Sequence, residues 1–270
     1  MTDYTLAVIL PRASAAGATG PKLMPKTSDG FLLRGLKQLL LFKETTLAAG
    51  FSDSVSGLAY PVAGASAAPA SGGRGLAIDG QTYLATGPLD LRLPWSVALG
   101  VTMTNPASAN NPAYQLFQTE LNGQGSQSGF HFWGSVTGSP PGVNDAMRLY
   151  GQSSLAGVAS TSVGTPLPGP AKMGLRATAI ATHDGAGTVS FELWRDGQVA
   201  RASAVWDVTQ IQGVTPAPVQ SLIIGPRYTT QAVGKIVIDV MAHAEDVAWD
   251  LKERMQMHSA ATALQIAGGR

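Results

Sequence analysis

The stretch "ATHDGAGTVSFELWRDGQVARASA" (residues 181–204) carries two Asp-Gly pairs, at 184–185 and 196–197, with an alternating run between them. Asp-Gly tolerates the positive φ that tight hairpins demand. Two such turns this close predict strands at 175–182, 188–194 and 198–205. In the middle strand Phe191 and Leu193 fall on one face, and Glu192 and Trp194 on the other.

The same period of two extends outward. Trp95, Val97, Leu99, Val101 and Met103 share one face of a run, and Ser96, Ala98, Gly100, Thr102 and Thr104 share the other, the pattern of a half-buried strand. Further strands are expected at 114–121, 129–133, 147–150, 221–225 and 235–243, with turn signals at Asp29-Gly30, Asp79-Gly80 and Asn122-Gly123. Long loops rich in Ser, Gly, Pro and Asn are expected at about 105–113, 134–146 and 151–171. Many strands and hardly any helix predict an all-β, two-sheet antiparallel sandwich. One helix is expected in "AEDVAWDLKERM" (244–255), with Val247, Leu251 and Met255 on one face and acids in its first turn.

Composition narrows the function classes. Charged residues make up 13% of the 270, about half the usual share, and the net charge is +1 without a basic run, so nucleic-acid binding has little support. Cys is absent, which excludes a disulfide-stapled module and thiolate metal sites. No apolar run reaches the roughly 18–20 residues of a membrane span, and "MTDYTLAVILPRASAAGATG" lacks the basic start of a signal peptide. The expected organisation is an N-terminal arm over 1–36, the sandwich over 37–256 and a weakly ordered tail over 257–270. Within "FLLRGLKQLLLF" (31–42), a short helix capped by Ser28 or Asp29 and a first strand at Leu39 to Phe42 are both open.

Four pieces in order give a family resemblance: "FSDSVSGLAY" (51–60), "GRGLAIDGQTYLATGPLDLRLPWSVALGVT" (73–102), "ATHDGAGTVSFELWRDGQVARAS" (181–203) and "IIGPRYTTQAVGKIVIDVMAHAEDVAWDLKERM" (223–255). Together they resemble a laminin-G-like or concanavalin A-like lectin/glucanase domain over roughly 38–255. The resemblance implies a jelly roll, a fold that hosts enzymes, lectins and scaffolds alike.

Its hydrolases carry Glu-x-Asp-x-x-Glu on one strand, since glycoside cleavage needs two carboxylates across the scissile bond. None of the five Glu (44, 120, 192, 245, 253) begins that motif: Trp194 stands where the aspartate after Glu192 would be. Glu192 is therefore expected to face solvent, and the protein to be no enzyme. The four His (131, 183, 243, 258) lack zinc-ligand spacing. No cofactor is expected; calcium is the one metal left open, with Asn144 and Asp145 as loop oxygens, while Asp53, Asp79 and Asp90 read as turn formers. In "GFHFWGS" (129–135), Phe130 and Phe132 share one face and His131 and Trp133 the other. With Tyr150 as neighbour, His131 and Trp133 make a candidate glycan platform, because an aromatic face stacks on a sugar ring. The competing reading packs Trp133 under the following loop.

The leading expectation is a non-enzymatic structural or attachment module of a tailed-phage virion (tail, baseplate or capsid surface). Its arm would dock to other virion proteins or to copies of itself, and its sandwich would face neighbours or host-surface polysaccharide. Virion proteins assembled in the host cytoplasm leave by lysis and need no export signal. A stand-alone bacterial lectin, acting outside the cell, is the alternative, and an atypical glycan hydrolase the third.

Overall fold

The computed structural model describes residues 33–43, 50–63, 68–69, 75–78, 83–104, 113–120, 130–137, 146–153, 161–166, 175–195, 198–205, 219–225 and 235–268; for much of 113–166 only the backbone is described. In chain order the strands are β1 (Leu36–Leu40), β2 (Phe51–Ser52), β3 (Ala59–Tyr60), β4 (Val62–Ala63), β5 (Ala68–Pro69), β6 (Leu76–Ile78), β7 (Tyr83–Asp90), β8 (Trp95–Thr104) and β9 (Ala113–Glu120). They continue with β10 (Phe130–Thr137), β11 (Ala146–Ser153), β12 (Thr161–Pro166), β13 (Leu175–His183), β14 (Thr188–Arg195), β15 (Gln198–Val205), β16 (Val219–Ile224) and β17 (Lys235–Glu245), and one helix follows, α1 (Leu251–Ala267).

The strands form an antiparallel sandwich. An eight-stranded sheet runs β15-β14-β13-β8-β17-β6-β5, with β1 also on β17, and a seven-stranded sheet runs β12-β11-β10-β9-β16-β7-β4. β2 and β3 pair separately. The hairpins come out as expected. Pairing Arg195 with Gln198 leaves a two-residue connection between β14 and β15. At the other turn Asp184 Oδ1 accepts from the backbone N–H of Ala186 (2.7 Å) and Thr188 (2.9 Å), and Gly185 holds φ +76°.

The main core fills the space between the sheets. Trp95, Val97, Leu99 and Val101 of β8 and Phe191 and Leu193 of β14 meet Leu84, Leu89, Phe117, Leu222 and Ile224 of the facing sheet. Each such side chain contributes about 1.5–3 kcal/mol by leaving water.

A second apolar layer lies on the far face of the eight-stranded sheet. Here Ala98, Ile180, Trp194, Val240, Ala242 and Ala244 pack against Met257, Ala261 and Leu264 of α1, with Leu33, Leu36, Leu39 and Trp249 closing one end. β8 is thus buried on both faces from Trp95 to Thr102, where the alternation predicts a half-buried strand. Small residues make this possible. A Cβ on Gly100 would stand 2.7 Å from Val240 Cγ1 and 3.0 Å from Ala261 Cβ, so the helix sits directly on the strand backbone.

Several expectations need correction. The helix does not span 244–255; it starts after Asp250 and runs through Ala267, across most of the expected tail. Asp250 and Glu253 form a reciprocal capping box, while 244–245 belong to β17. The expected helical face is wrong too: Leu251 and Met255 are exposed, and Met257, Ala261 and Leu264 are buried. Between the two openings in 31–42, the strand is what forms, starting at Leu36 and not at Leu39, and Leu33 and Leu36 are buried with the domain. The loops expected at 134–146 and 151–171 are partly strand, because β10 reaches Thr137 and β12 occupies Thr161–Pro166. Residues 1–32, most of the expected arm, lie outside the described residues.

Candidate functional site

Glu192 is the carboxylate on which the hydrolase question turns, and it does not face solvent. It is 4% exposed on the helix-covered face of the eight-stranded sheet. Its Oε2 accepts from the indole N–H of Trp194 at 2.8 Å, and its Oε1 from Nε of Arg201 at 2.7 Å. Arg254 of α1 brings Nε within 3.1 Å of Oε2 and donates from Nη1 to the Trp249 carbonyl. The Arg201 guanidinium lies 5.8 Å from the Trp194 ring centre, and His258 stacks on that ring at 5.6 Å while sharing a 2.9 Å hydrogen bond with Thr178. A carboxylate with this many donors is fixed in place as an anion-side anchor between strand and helix. That commitment suits joining two layers and not proton transfer.

Arg201 and Arg254 are the partners that sequence reasoning missed. For Arg201 the signal was present, because residues 192 and 201 lie equally far from the Asp196-Gly197 turn and must pair across it. For Arg254 no such local count exists.

Other described ionisable groups are engaged as well. Asp53, 1% exposed, accepts from the backbone N–H of Leu39 (2.8 Å) and Val55 (3.0 Å) and from the Ser56 hydroxyl (2.5 Å). Asp90 takes the backbone N–H and side chain of Arg92, whose hydrogen bonds hold its carboxyl below the usual range against the opposing effect of burial. Both act as the turn formers expected of them; Asp79, Asn144 and Asp145 lie outside the described residues. Glu245 lies 3.7 Å from Lys37, and burial raises its carboxyl. Glu253 is held by Arg34 through two 2.6 Å hydrogen bonds. Among the described residues no group of three His, Asp or Glu could hold a metal ion, and no helix is long and apolar enough to cross a membrane.

His243 is buried in β17 beside Gln38 of β1, its register partner. Gln38 donates to the Tyr60 hydroxyl at 2.8 Å, so its Oε1, 3.3 Å from His243 Nδ1, is the acceptor there. Nε2 has no hydrogen-bond partner and stands 3.9 Å from Glu245. Burial, with a smaller contribution from Lys37, lowers the imidazole to about 4.

The expected glycan residues occupy one strand pair. The β10–β11 ladder sets Trp133 opposite Tyr150 and His131 opposite Gln152, in unbroken register. Directly paired positions in an antiparallel ladder share a face, and His131 is two residues from Trp133, so all three positions fall on one face. Their side chains lie outside the described residues. Phe132 is the register partner of Phe117, a member of the core between the sheets. The His131–Trp133–Tyr150 face is therefore the one turned away from the eight-stranded sheet.

No family model matches the chain, and no curated protein matches it. Solved structures share its fold. The botulinum neurotoxin serotype D binding domain is similar with a TM-score of 0.57 at 10% identity, over 83% of this chain and 51% of that one. A Trypanosoma rangeli sialidase in complex with sialic acid gives 0.56 at 13% identity, over 95% and 36%. A botulinum neurotoxin type C structure, concerned with that toxin's dependence on two ganglioside molecules, gives 0.54 at 10% identity, over 85% and 51%. The chain thus spans about half the length of the toxin structures and about a third of the sialidase. At these identities the likeness establishes the fold: the chain is an antiparallel β-sandwich of the kind found in those binding and sialidase structures.

Proposed function

We propose that the protein is a non-catalytic glycan-recognition module of the concanavalin A-like or laminin-G-like type. The observation that carries this reading is the register pairing of Trp133 with Tyr150, with His131 two positions along, on the face of the seven-stranded sheet that looks away from the other sheet. Two aromatic positions side by side supply a stacking surface, and a neighbouring imidazole supplies a hydrogen-bonding group. The helix seals the corresponding face of the eight-stranded sheet, so this reading assigns the ligand to the seven-stranded sheet. Structural neighbours whose names include ganglioside and sialic acid support a glycan over other small ligands. The engagement of Glu192, Glu245 and Glu253 in ion pairs supports binding without cleavage.

A glycan array probed with the full chain, with calcium and with a chelator, tests this. Binding that falls at least tenfold in Trp133→Ala, with an unchanged melting temperature, is the expected result. Absence of binding in both conditions would sink the reading. Calcium dependence would assign a metal to the loops around Asn144 and Asp145.

A tailed-phage virion is the setting we propose for such a module, on composition and the 1–36 arm alone. Its test is particle assembly with the full chain and with residues 1–32 deleted, which spares Leu33, Arg34 and Leu36 of the folded domain. Equal incorporation would remove the arm as the dock, and absence of the full chain from particles would favour a stand-alone lectin.

A further inference from the structure

The outer side of α1 carries apolar side chains that the sandwich does not use. Leu251, Met255 and Ile266 are 49%, 52% and 58% exposed. Their spacing along the helix puts them within about 60° of one another around its axis, opposite the buried Met257, Ala261 and Leu264. Ser259 and Thr262 fill the stripe between its ends. The stripe itself bears no charge: between Arg254 and Ala267 the one titratable side chain is His258, and its ring stacks on Trp194.

What covers such a stripe follows from its size and from where the chain enters the domain. One helix face about 25 Å long and roughly 10 Å wide amounts to about 250 Å², well short of the roughly 800 Å² that each partner in a stable complex buries. A second copy docked here alone would not hold. An occupant already joined to the domain avoids the translational and rotational cost of association and acts at a high effective concentration. The chain supplies one. The 32 residues before Leu33 lead into the helix start, where Arg34 donates to Glu253 from its backbone N–H (3.1 Å) and its guanidinium (2.6 Å). Among them "TLAVIL" (5–10) is the longest run that is uncharged and rich in large apolar residues. The 22 residues between Leu10 and Leu33 reach at most about 75 Å, three helix lengths, so every point of the stripe is within range.

We propose that residues 5–10 form an intramolecular clasp, docking Leu6, Val8, Ile9 and Leu10 on the Leu251–Met255–Ile266 stripe of the same chain. Such docking takes apolar area out of water on both sides and strips no charge of its hydration. It ties the arm along the back of the eight-stranded sheet, and it stands or falls independently of the sugar platform.

The absence of Cys makes disulfide trapping in the full chain a clean test. Val8→Cys is combined with Thr262→Cys, in the middle of the stripe, and in a control with Leu58→Cys, at a position 60% exposed just before β3. Under mild oxidation in dilute solution, the 8–262 pair is expected to close within one chain about tenfold faster than the 8–58 pair, as docking raises the local concentration of one thiol at the other. Non-reducing gels separate this closed monomer from a cross-linked dimer. Adding Met255→Lys and Ile266→Lys is expected to bring the 8–262 rate down to the control level with an unchanged melting temperature, because both side chains are half exposed. Equal rates for the two pairs, a preference that survives the two lysines, or disulfides that join two chains in place of one overturns the clasp. The comparison of the two pairs decides the matter by itself if the lysines lower the melting temperature.

Discussion

The indole N–H of Trp194 donates to the carboxylate of Glu192, two residues earlier on the same face of one strand, at 2.8 Å. The pair is sealed beneath the helix, and Arg201 and Arg254 complete it from a strand and from the helix. Glu192→Ala would leave a buried indole N–H and the Arg201 guanidinium without their acceptor, and Arg254 without its ion-pair partner. The expected cost is about 2–3 kcal/mol, discounted because Arg201 is half exposed. Glu192→Gln keeps an acceptor for Trp194 and should cost less. Urea midpoints of the two variants check the order, and equal midpoints would show that the charge is immaterial.

Gly100 tests how closely the helix sits. Gly100→Ala places a methyl against Val240, whose β-branched side chain has little freedom to turn aside, and against Ala261. Overpacking of this kind costs about 1–3 kcal/mol. Faster proteolysis within 251–268 is expected along with the lower melting temperature, because the contact that yields is the one between layers.

Arg34 grips the start of the helix through Glu253, which also caps it. Arg34→Ala is expected to cost about 1–2 kcal/mol, more than an ordinary surface pair, because the Glu253 it abandons is buried. Hydrogen exchange should quicken at the backbone amides of the first helical turn and remain slow in β13 and β14. Uniform quickening would mean that the pair supports the whole sandwich.

Acid should weaken the fold through His243. The unfolded His243 imidazole takes up a proton near 6.5, whereas the folded one resists until about 4. Between those values the unfolded state binds more protons, so stability falls as pH drops, by up to about 1.4 kcal/mol per pH unit. His183, also lowered by burial, acts in the same direction. Glu245, raised by burial, acts in the opposite one and offsets part of the slope. Denaturant midpoints between pH 7 and 4 should decline less steeply in His243→Gln than in the wild type; parallel declines would exclude His243 as the source.

The strand period was legible because the space between two sheets imposes it on every strand. Trp95, Val97, Leu99, Val101, Phe191 and Leu193 could be assigned to one interior face on alternation alone. What alternation cannot convey is whether the second face meets water or another layer. Ser96, Ala98 and Gly100 have the small, polar look of a wet face and are in fact a seat for a helix. Glu192 was misread for the same reason, since its burial depends on a helix sixty residues further on. That helix was itself half hidden. The Asp250–Glu253 capping box and the spacing of Met257, Ala261 and Leu264 mark it, but Ala, Ser and Thr around them give little hydrophobic contrast. The Trp133–Tyr150 pairing was not countable, because no short turn fixes the β10–β11 register as Asp196-Gly197 fixes that of β14 and β15.

The close seating of α1 on Gly100 has an engineering consequence. The helix start is tied to Arg34, and near the helix end Gln265 donates to the carbonyls of Val101 and Ala177. Both ends of α1 are therefore on the same side of the sandwich, that of the eight-stranded sheet. A label or bead attached at an exposed helix position such as Met255 or Ile266 is therefore held behind the eight-stranded sheet, on the opposite side of the sandwich from the β10–β11 strand pair.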